Sequence, residues 1–414
     1  VKRLQHMVKS IPALGWNIIV GTLFARMATS MSMPFLAIYL TAAKGVSPAL
    51  AGAVIGVSAL VGVFSSFIGG SLSDRYGRKR VMLVSIAVWI VVFIGFAFAE
   101  HIAAFFVLNA LNGVCRAFFE PSSRALLSDL TKPENRLMIF NLRYGAINAG
   151  VAVGPWIGLQ LGSAKSTTPF LAAAIVYTLY AAALLLQFRS YEENRQTTTK
   201  ERVMMRDSIG VLRKDLLFLA ALIGLILSTA GYSQFSSSLS QYFANSTKFQ
   251  GGVELFSHAL VLNAVTVLLV QYPLTRIGKR YSALVSVMIG TLVTSIGLLG
   301  YGFAASAWMV YAVTVLFTMG EVLMFSMTDL FVDQIAPKHL KGTYFGAMGF
   351  SGFGGVIGPW LGGALLDHFG YEHGEIIFAL LAGVCALGFP ILLLVKLRLD
   401  RNRSAQAGSE KLHA

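Results

Sequence analysis

Long apolar stretches alternate with short polar ones along the whole chain. Twelve apolar runs stand out, at about 16–41, 48–72, 80–99, 102–128, 139–161, 169–188, 216–243, 252–275, 281–304, 308–333, 342–366 and 375–396. A helix needs roughly 20 apolar residues to cross the hydrocarbon core of a bilayer. Several runs are longer, so tilt or projecting ends are expected. The longest polar stretch, 189–215, holds Glu192, Glu193, Arg195, Lys200, Glu201 and Arg202 and divides six runs from six. The pattern predicts an all-α membrane protein. Its expected parts are a six-helix bundle over 1–188, a linker over 189–215, a second bundle over 216–397 and a polar, mobile tail over 398–414.

Composition agrees. The chain is 56% hydrophobic and 13% charged, where a soluble domain is about a quarter charged. A net charge of +14 raises a nucleic-acid partner. The basic residues lie between apolar runs, with no stripe of interleaved aromatics, so that reading is set aside. The charges orient the chain instead. With the N-terminus in the cytoplasm, 26 Lys and Arg fall in or at the edge of cytoplasmic segments, and only Lys44, Lys165 and Lys248 fall outside. This is the positive-inside asymmetry, with both termini cytoplasmic. Cys115 and Cys385 lie within apolar runs, so no disulfide framework is implied. No small-residue cleavage site follows a short apolar core near the start, so the first run is expected to stay in the membrane.

The densest charge cluster is Gly69-Gly70-Ser71-Leu72-Ser73-Asp74-Arg75-Tyr76-Gly77-Arg78-Lys79-Arg80, squeezed between two runs. A weaker copy, Thr275-Arg276-Ile277-Gly278-Lys279-Arg280, returns 201 residues later. Gly154-Pro155-Trp156-Ile157-Gly158 returns after 204 residues as Gly358-Pro359-Trp360-Leu361-Gly362, and Asp129 and Pro133 map by the same offset onto Asp333 and Pro337. The halves read as copies. Two like-oriented repeats imply a two-fold axis along the membrane normal, with substrate bound near mid-membrane where the repeats meet.

The Gly69–Arg80 stretch resembles the loop between spans two and three of the major facilitator superfamily, of the form G-x-L-x-D-R-x-G-R-K. Gly150–Pro155 resembles the fifth-span motif of its proton-coupled exporters. Arg26 before Pro34–Leu40, and Met319-Gly320-Glu321-Val322 before Ile335-Ala336-Pro337, are similar to bacterial twelve-span drug:proton antiporters, with multidrug and dipeptide exporters the nearest type. The fourth span departs from the common pattern: Asn109 stands four residues before Gly113, and the arginine follows as Arg116. The resemblance implies a transporter of the bacterial inner membrane working by alternating access, functional as a monomer. Its partners are a small-molecule substrate and the lipid bilayer. It needs no cofactor beyond a coupling proton, no metal and no catalytic residue.

By the same resemblance, Gly70, Asp74, Arg75, Gly77, Arg78 and Asp129 belong to a gate. Asp74, Arg78 and Asp129 clamp the cytoplasmic side, and Asp74 meets the start of span eleven, where the helix dipole favours an anion. The competing reading is a basic loop that only sets topology. Gly154, Pro155, Gly358 and Pro359 are expected where the halves rock, although ordinary small-residue packing accounts for much of the same physics. Asn109, Asn112, Asn148, Tyr232, Gln234, Phe235 and Asn263, with Arg26 and Arg116, are the candidate substrate contacts.

A charge inside a span is costly and points to function. Three carboxylates lie well inside: Glu120, Glu321 and Asp329. All three are candidates for proton coupling, with Glu321 first, near the middle of span ten. The alternative is a fixed salt bridge between Glu321 and Arg26. Arg116, Glu120 and Arg124 recur at i, i+4 and i+8 and share a helical face. They form either a self-neutralising ladder or a binding or relay site. Arg143 is expected to face the cytoplasmic vestibule. Glu254 and His258, four apart, are expected to pair locally rather than bind metal.

Two functions stay open: an exporter of small amphipathic compounds, and a dedicated exporter or importer of one anionic or zwitterionic metabolite, such as a siderophore or sugar. In-span arginines outnumber in-span carboxylates by four to three, which leans toward anionic cargo. A nucleotide-driven pump is disfavoured because no G-x-x-x-x-G-K-[S/T] loop occurs.

Overall fold

The computed structural model describes residues 11–46, 48–161, 166–191, 210, 214–278 and 280–412. Most of the linker expected over 189–215, together with Lys165 and Lys279, lies outside the described residues. The first half of the chain forms α1 (Ala13–Ala42), α2 (Pro48–Tyr76), α3 (Arg78–Phe98), α4 (Ile102–Asp129), α5 (Arg136–Leu161) and α6 (Thr168–Ser190). The second forms α7 (Leu216–Tyr232), α8 (Ser238–Asn245), α9 (Gly252–Gly278), α10 (Ala283–Phe303) and α11 (Ala307–Ile335). It continues with α12 (Lys341–Ala347), α13 (Gly354–Phe369), α14 (Gly374–Ala386) and α15 (Gly388–Leu412). No strand occurs among the described residues.

Among those residues, nine stretches are long and apolar enough to cross a bilayer. The expected runs 16–41 and 139–161 are helical in α1 and α5. Three runs are not single helices. Run 216–243 breaks after Tyr232 into a 3-10 turn, Ser233–Phe235, before α8. The serines there return their hydroxyls to the backbone, Ser233 to Ala230 and Ser237 to Ser233, a habit that bends helices. Run 342–366 divides into α12, a 3-10 stretch Met348–Phe353 and α13. Glycine stands at 342, 346, 349, 352, 354 and 355, and each glycine weakens a helix by roughly 0.5–1 kcal/mol relative to alanine. Run 375–396 is interrupted at Leu387, with Pro390 in the first turn of α15, where a missing N–H is harmless. The tail, expected to be mobile, continues α15 as helix to Leu412.

The chain forms two compact units. The first comprises Val1–Ser208 with Val332–Phe350, and the second Ile209–Phe331 with Ser351–Ala414. A segment late in sequence therefore belongs to the first unit, and one of its limits falls inside the 3-10 stretch. In the first unit α1 packs on α5 and α6, α2 on α4, and α12 on α2 and α4. In the second, α7 packs on α13, α14 and α15, and α10 on α14. The two Gly-Pro sites pack alike. A Cβ on Gly154 of α5 would lie 1.9 Å from Ser30 Oγ on α1, and one on Gly358 of α13 would lie 2.2 Å from Ser233 Oγ just after α7. Each glycine carries its helix into the same close contact in its own unit.

Candidate functional site

Four side-chain groups are built into the two units. The first lies where α2 turns into α3. Gly77 makes the turn at φ 92°, a conformation that side chains resist. The turn puts Asp74, at the end of α2, beside Arg78, at the start of α3. Arg78 Nη1 donates to Asp74 Oδ1 at 2.8 Å, and its Nε to Asp129 Oδ2 at 2.6 Å. Asp74 also accepts the backbone N–H groups of Gly342 (3.0 Å) and Thr343 (2.6 Å) and the Thr343 hydroxyl (2.9 Å). Those N–H groups open α12 and have no partner within the helix. The contact needs Gly70: a Cβ there would lie 2.0 Å from the Gly342 carbonyl oxygen. Arg75 lies over the ring of Tyr76, 5.0 Å from its centre.

The second group was marked in sequence only through Asp333, the repeat partner of Asp129. Asp333 Oδ2 accepts from Arg136 Nη1 at 2.7 Å, and Oδ1 from Lys341 Nζ at 2.5 Å and from the Ser128 hydroxyl. Lys341 and Asp333 are both buried. The first two groups line one cavity of about 440 Å³, which also takes in Lys338 and His339. Asp333 sits at the very end of its apolar run, where an acid reads as a loop residue, and only the 204-residue offset points to it.

The third group lies among α1, α4 and α5. Glu120 Oε1 accepts from Arg26 Nη2, and Oε2 from Arg143 Nη2, with Arg124 at 3.8 Å. Of the ladder considered along α4, the Arg124–Glu120 rung is present, and α1 and α5 add two closer guanidiniums from other helices. Arg143, expected in a vestibule, is 3% exposed. Arg26, weighed as a partner for Glu321, is bonded to Glu120. Among the described residues no hydrogen bond or ion pair holds Arg116. It lines a cavity with Arg26, Glu120, Thr29, Trp89 and Tyr177. That cavity, about 20 Å³, has room for roughly one water. The Tyr177 hydroxyl lies 2.9 Å from Thr29 Oγ, and the Tyr177 ring stacks on Trp89 at 4.8 Å.

The fourth group is in the second unit. Glu321 on α11 is 1% exposed. Its Oε2 accepts from Asn263 Nδ2 at 2.7 Å, and its Oε1 from the Tyr232 hydroxyl at 3.3 Å. Asn263 also donates to Thr318 Oγ at 2.8 Å. Phe325 meets the Tyr232 ring edge-on at 4.7 Å. Tyr232 is the last residue of α7, directly before the serine-rich break.

The remaining candidates are engaged by the protein itself. Asn109 donates to the Val54 carbonyl, and Asn112 accepts from Trp89 and donates to Asn109, bolting α4 to α2 and α3. Asn148 donates to the Tyr144 carbonyl one turn back. Gln234 bonds Ala230 and Ser238 across the α7 break. Phe235 is packed against Phe317 at 5.2 Å. Asp329 is half-buried, two turns beyond Glu321. His258 turns to the Tyr311 hydroxyl at 3.2 Å rather than to Glu254, since side chains on neighbouring helices approach more closely than the next turn of its own.

The sequence profile described as Major Facilitator Superfamily matches residues 18–353, a span that takes in the Gly69–Arg80 loop, Glu120 and Glu321. The chain belongs to the major facilitator superfamily. It is 50% identical to the uncharacterised MFS-type transporter YqjV of Bacillus subtilis (strain 168), over 93% of this chain and 94% of that one. It is 26% identical to a Na+, Li+, K+/H+ antiporter of Planococcus maritimus, over 80% of this chain and 84% of the relative. The human organic anion transporter MFSD10 (TETRAN) shares the fold with a TM-score of 0.69 at 17% identity, covering 92% of this chain and all of that one. This major facilitator protein is thus a multi-pass membrane transporter, not an enzyme.

Proposed function

We propose that this major facilitator protein is a twelve-span, proton-coupled antiporter exporting small amphipathic compounds, such as drugs, dipeptides or related metabolites. It works by alternating access between bundles over 1–188 and 216–397, in a bacterial cytoplasmic membrane with both termini inside. The observation that carries the coupling is the housing of Glu321. A carboxylate buried in a span is held there by an amide and a phenol, with a hydroxyl next to the amide. As an anion it accepts both bonds. Once protonated it keeps its carbonyl oxygen and turns its other oxygen into a donor, so one of the two bonds must reorganise. The bond to Tyr232 ends at the break in α7, so the proton's arrival is passed to the point where that helix is weakest. The name of the Planococcus relative, an antiporter that exchanges cations for H+, supports the same reading.

In this mechanism the Asp74–Arg78–Asp129 network closes the cytoplasmic side while Asp74 holds the first turn of α12. Asp333, with Arg136 and Lys341, strengthens the same closure. Opening to the cytoplasm requires α12 to leave Asp74.

The test is transport in proteoliposomes with an imposed pH gradient, over a panel of dyes, dipeptides and siderophores. The native chain accumulates at least one compound against its gradient, and Glu321→Gln does not, while still exchanging labelled for unlabelled substrate. Uphill transport by that variant at the native rate removes Glu321 from the mechanism.

A second reading, a transporter dedicated to one anionic metabolite, is favoured by a specific observation: the third group holds four guanidiniums and one carboxylate.

A further inference from the structure

We infer that the second glycine–charge turn, Thr275–Arg280, together with Arg398 and Arg401 of α15, binds the headgroup of an anionic phospholipid at the membrane surface. The inference depends neither on what the protein transports nor on how transport is energised.

The two copies of the turn differ in what their charges do. In the first, three of the four basic residues are engaged within the protein. Arg75 lies over Tyr76, Arg78 bonds Asp74 and Asp129, and Lys79 donates to the Phe188 carbonyl near the end of α6. In the second, Thr275 stands where the first has Asp74, and its hydroxyl donates to the Gln271 carbonyl at 2.6 Å. Other groups hold this turn. The Ser286 hydroxyl donates to the Gly278 carbonyl at 2.9 Å, and Ser282 caps α10 by accepting the Val285 N–H at 3.2 Å. Arg276 and Arg280 are exposed, and among the described residues no side-chain hydrogen bond or ion pair engages either.

Helix α15 brings two more guanidiniums to the same level. A Cβ on Gly302 of α10 would lie 2.7 Å from the Gly374 carbonyl oxygen, and one on Gly388 would lie 3.5 Å from the Thr291 methyl. The chain through α14 and α15 therefore runs antiparallel to α10. Ala283, at the start of α10, is as far back from Thr291 as Lys396 is onward from Gly388, about 12 Å along each helix. The turn is thus level with the stretch of α15 that carries Arg398 and Arg401. Both are exposed, whereas Lys396 is bonded to Asp400.

The apolar neighbours decide the occupant. Leu269 and Tyr272 on α9, and Leu394 and Leu397 on α15, are exposed. Arg276 continues the face of Leu269 two turns on, and Arg401 continues that of Leu394 by the same step. An exposed apolar face of a membrane span meets acyl chains, so a cation that continues it stands at the level of the phosphates. Tyr281, exposed beside Arg280, is of a type enriched at that depth. A guanidinium offers a planar fork that matches phosphate in two parallel bonds. Four such forks bordering an acyl-facing surface fit a phosphate that carries acyl chains better than a soluble anion.

The experiment is lipid binding to the purified full-length protein in neutral detergent, read by native mass spectrometry, with melting temperature as a second measurement. The probes are dioleoyl phosphatidylglycerol, dioleoyl phosphatidylcholine and soluble glycerol phosphate. Phosphatidylglycerol is expected to bind at least about tenfold more tightly than phosphatidylcholine, since each arginine near an anionic headgroup contributes about fivefold. Arg280→Gln with Arg401→Gln removes most of that preference, and the two lysine replacements retain most of it. Arg80→Gln with Arg189→Gln takes the same charge from the first unit and leaves the preference in place. An equal loss in that control reduces the effect to general surface charge and overturns the inference. So does phosphatidylcholine binding as tightly, glycerol phosphate protecting as well as the lipid, or no lipid bound at all. A lower melting temperature of the lipid-free Arg280→Gln, Arg401→Gln protein assigns these arginines to structure and overturns it too.

Discussion

Glu120 and Glu321 are both carboxylates in apolar helices, and their surroundings could hardly differ more. Glu120 is pinned by two guanidiniums from other helices with a third close by. Glu321 rests on an asparagine and a tyrosine. A carboxylate whose charge is matched more than once has no reason to give it up. Hydrogen bonds from neutral donors such as Asn263 and Tyr232 can be kept, in rearranged form, when a carboxylate takes up a proton. In the proposed mechanism the proton site lies in the second unit, and the arginine-rich group lies in the first. Read as sequence, both acids were candidates for proton coupling, with Glu321 first.

The comparison breaks most sharply in transport. Glu321→Gln is expected to abolish uphill flux, whereas in Glu120→Gln the residual flux still responds to the pH gradient. If the gradient response is lost in Glu120→Gln and kept in Glu321→Gln, the roles are reversed. Thermal unfolding in one detergent gives the next largest contrast. Glu120→Gln leaves several guanidiniums facing one another, and breaking a buried pair costs roughly 3–5 kcal/mol. Glu321→Gln keeps an oxygen of the same shape for Asn263 and is expected to cost under about 1 kcal/mol. Equal losses would mean that both acids are structural.

A smaller effect is expected at the proposed gate. Asp74→Asn keeps the shape but removes the charge facing Arg78 and the first turn of α12. Hydrogen bonds to charged groups contribute about 1.5–3 kcal/mol, so turnover is expected to fall by about tenfold or more while membrane insertion stays intact. Unchanged turnover would reduce the loop to a topological signal. The smallest effect belongs to the pair between Lys248 and Glu375, 3.1 Å apart and partly exposed. The hydrogen bond from Glu375 raises the Lys248 pKa above its ordinary value, yet such pairs contribute only about 0–1 kcal/mol. Lys248→Ala is expected to leave both transport and melting within error, and a large loss would place a functional element at that end of the second unit.

Much of this was legible in the chain because it is local. A run of apolar residues announces a membrane helix whatever surrounds it, and Gly77 between charged residues announces a tight turn. The near-constant offset from Gly154-Pro155 to Gly358-Pro359 announces a repeat, and the repeat points to Asp333. Even two of the helix breaks have local signs, the serines after Tyr232 and the glycines from 342 to 355. The partners were not legible. Arg26 lies 94 positions from Glu120, and Asp74 lies 268 from Gly342. A pattern of residue types carries no record of which distant helices touch. Side-chain pairing depends on helix rotation and approach to within an ångström, set by where small residues such as Gly70 and Gly154 let backbones meet. The sequence by itself therefore determined that this is a membrane protein with charged residues in its helices. Only the tertiary structure decided which arginines meet Glu120, and that an asparagine and a tyrosine from other helices meet Glu321.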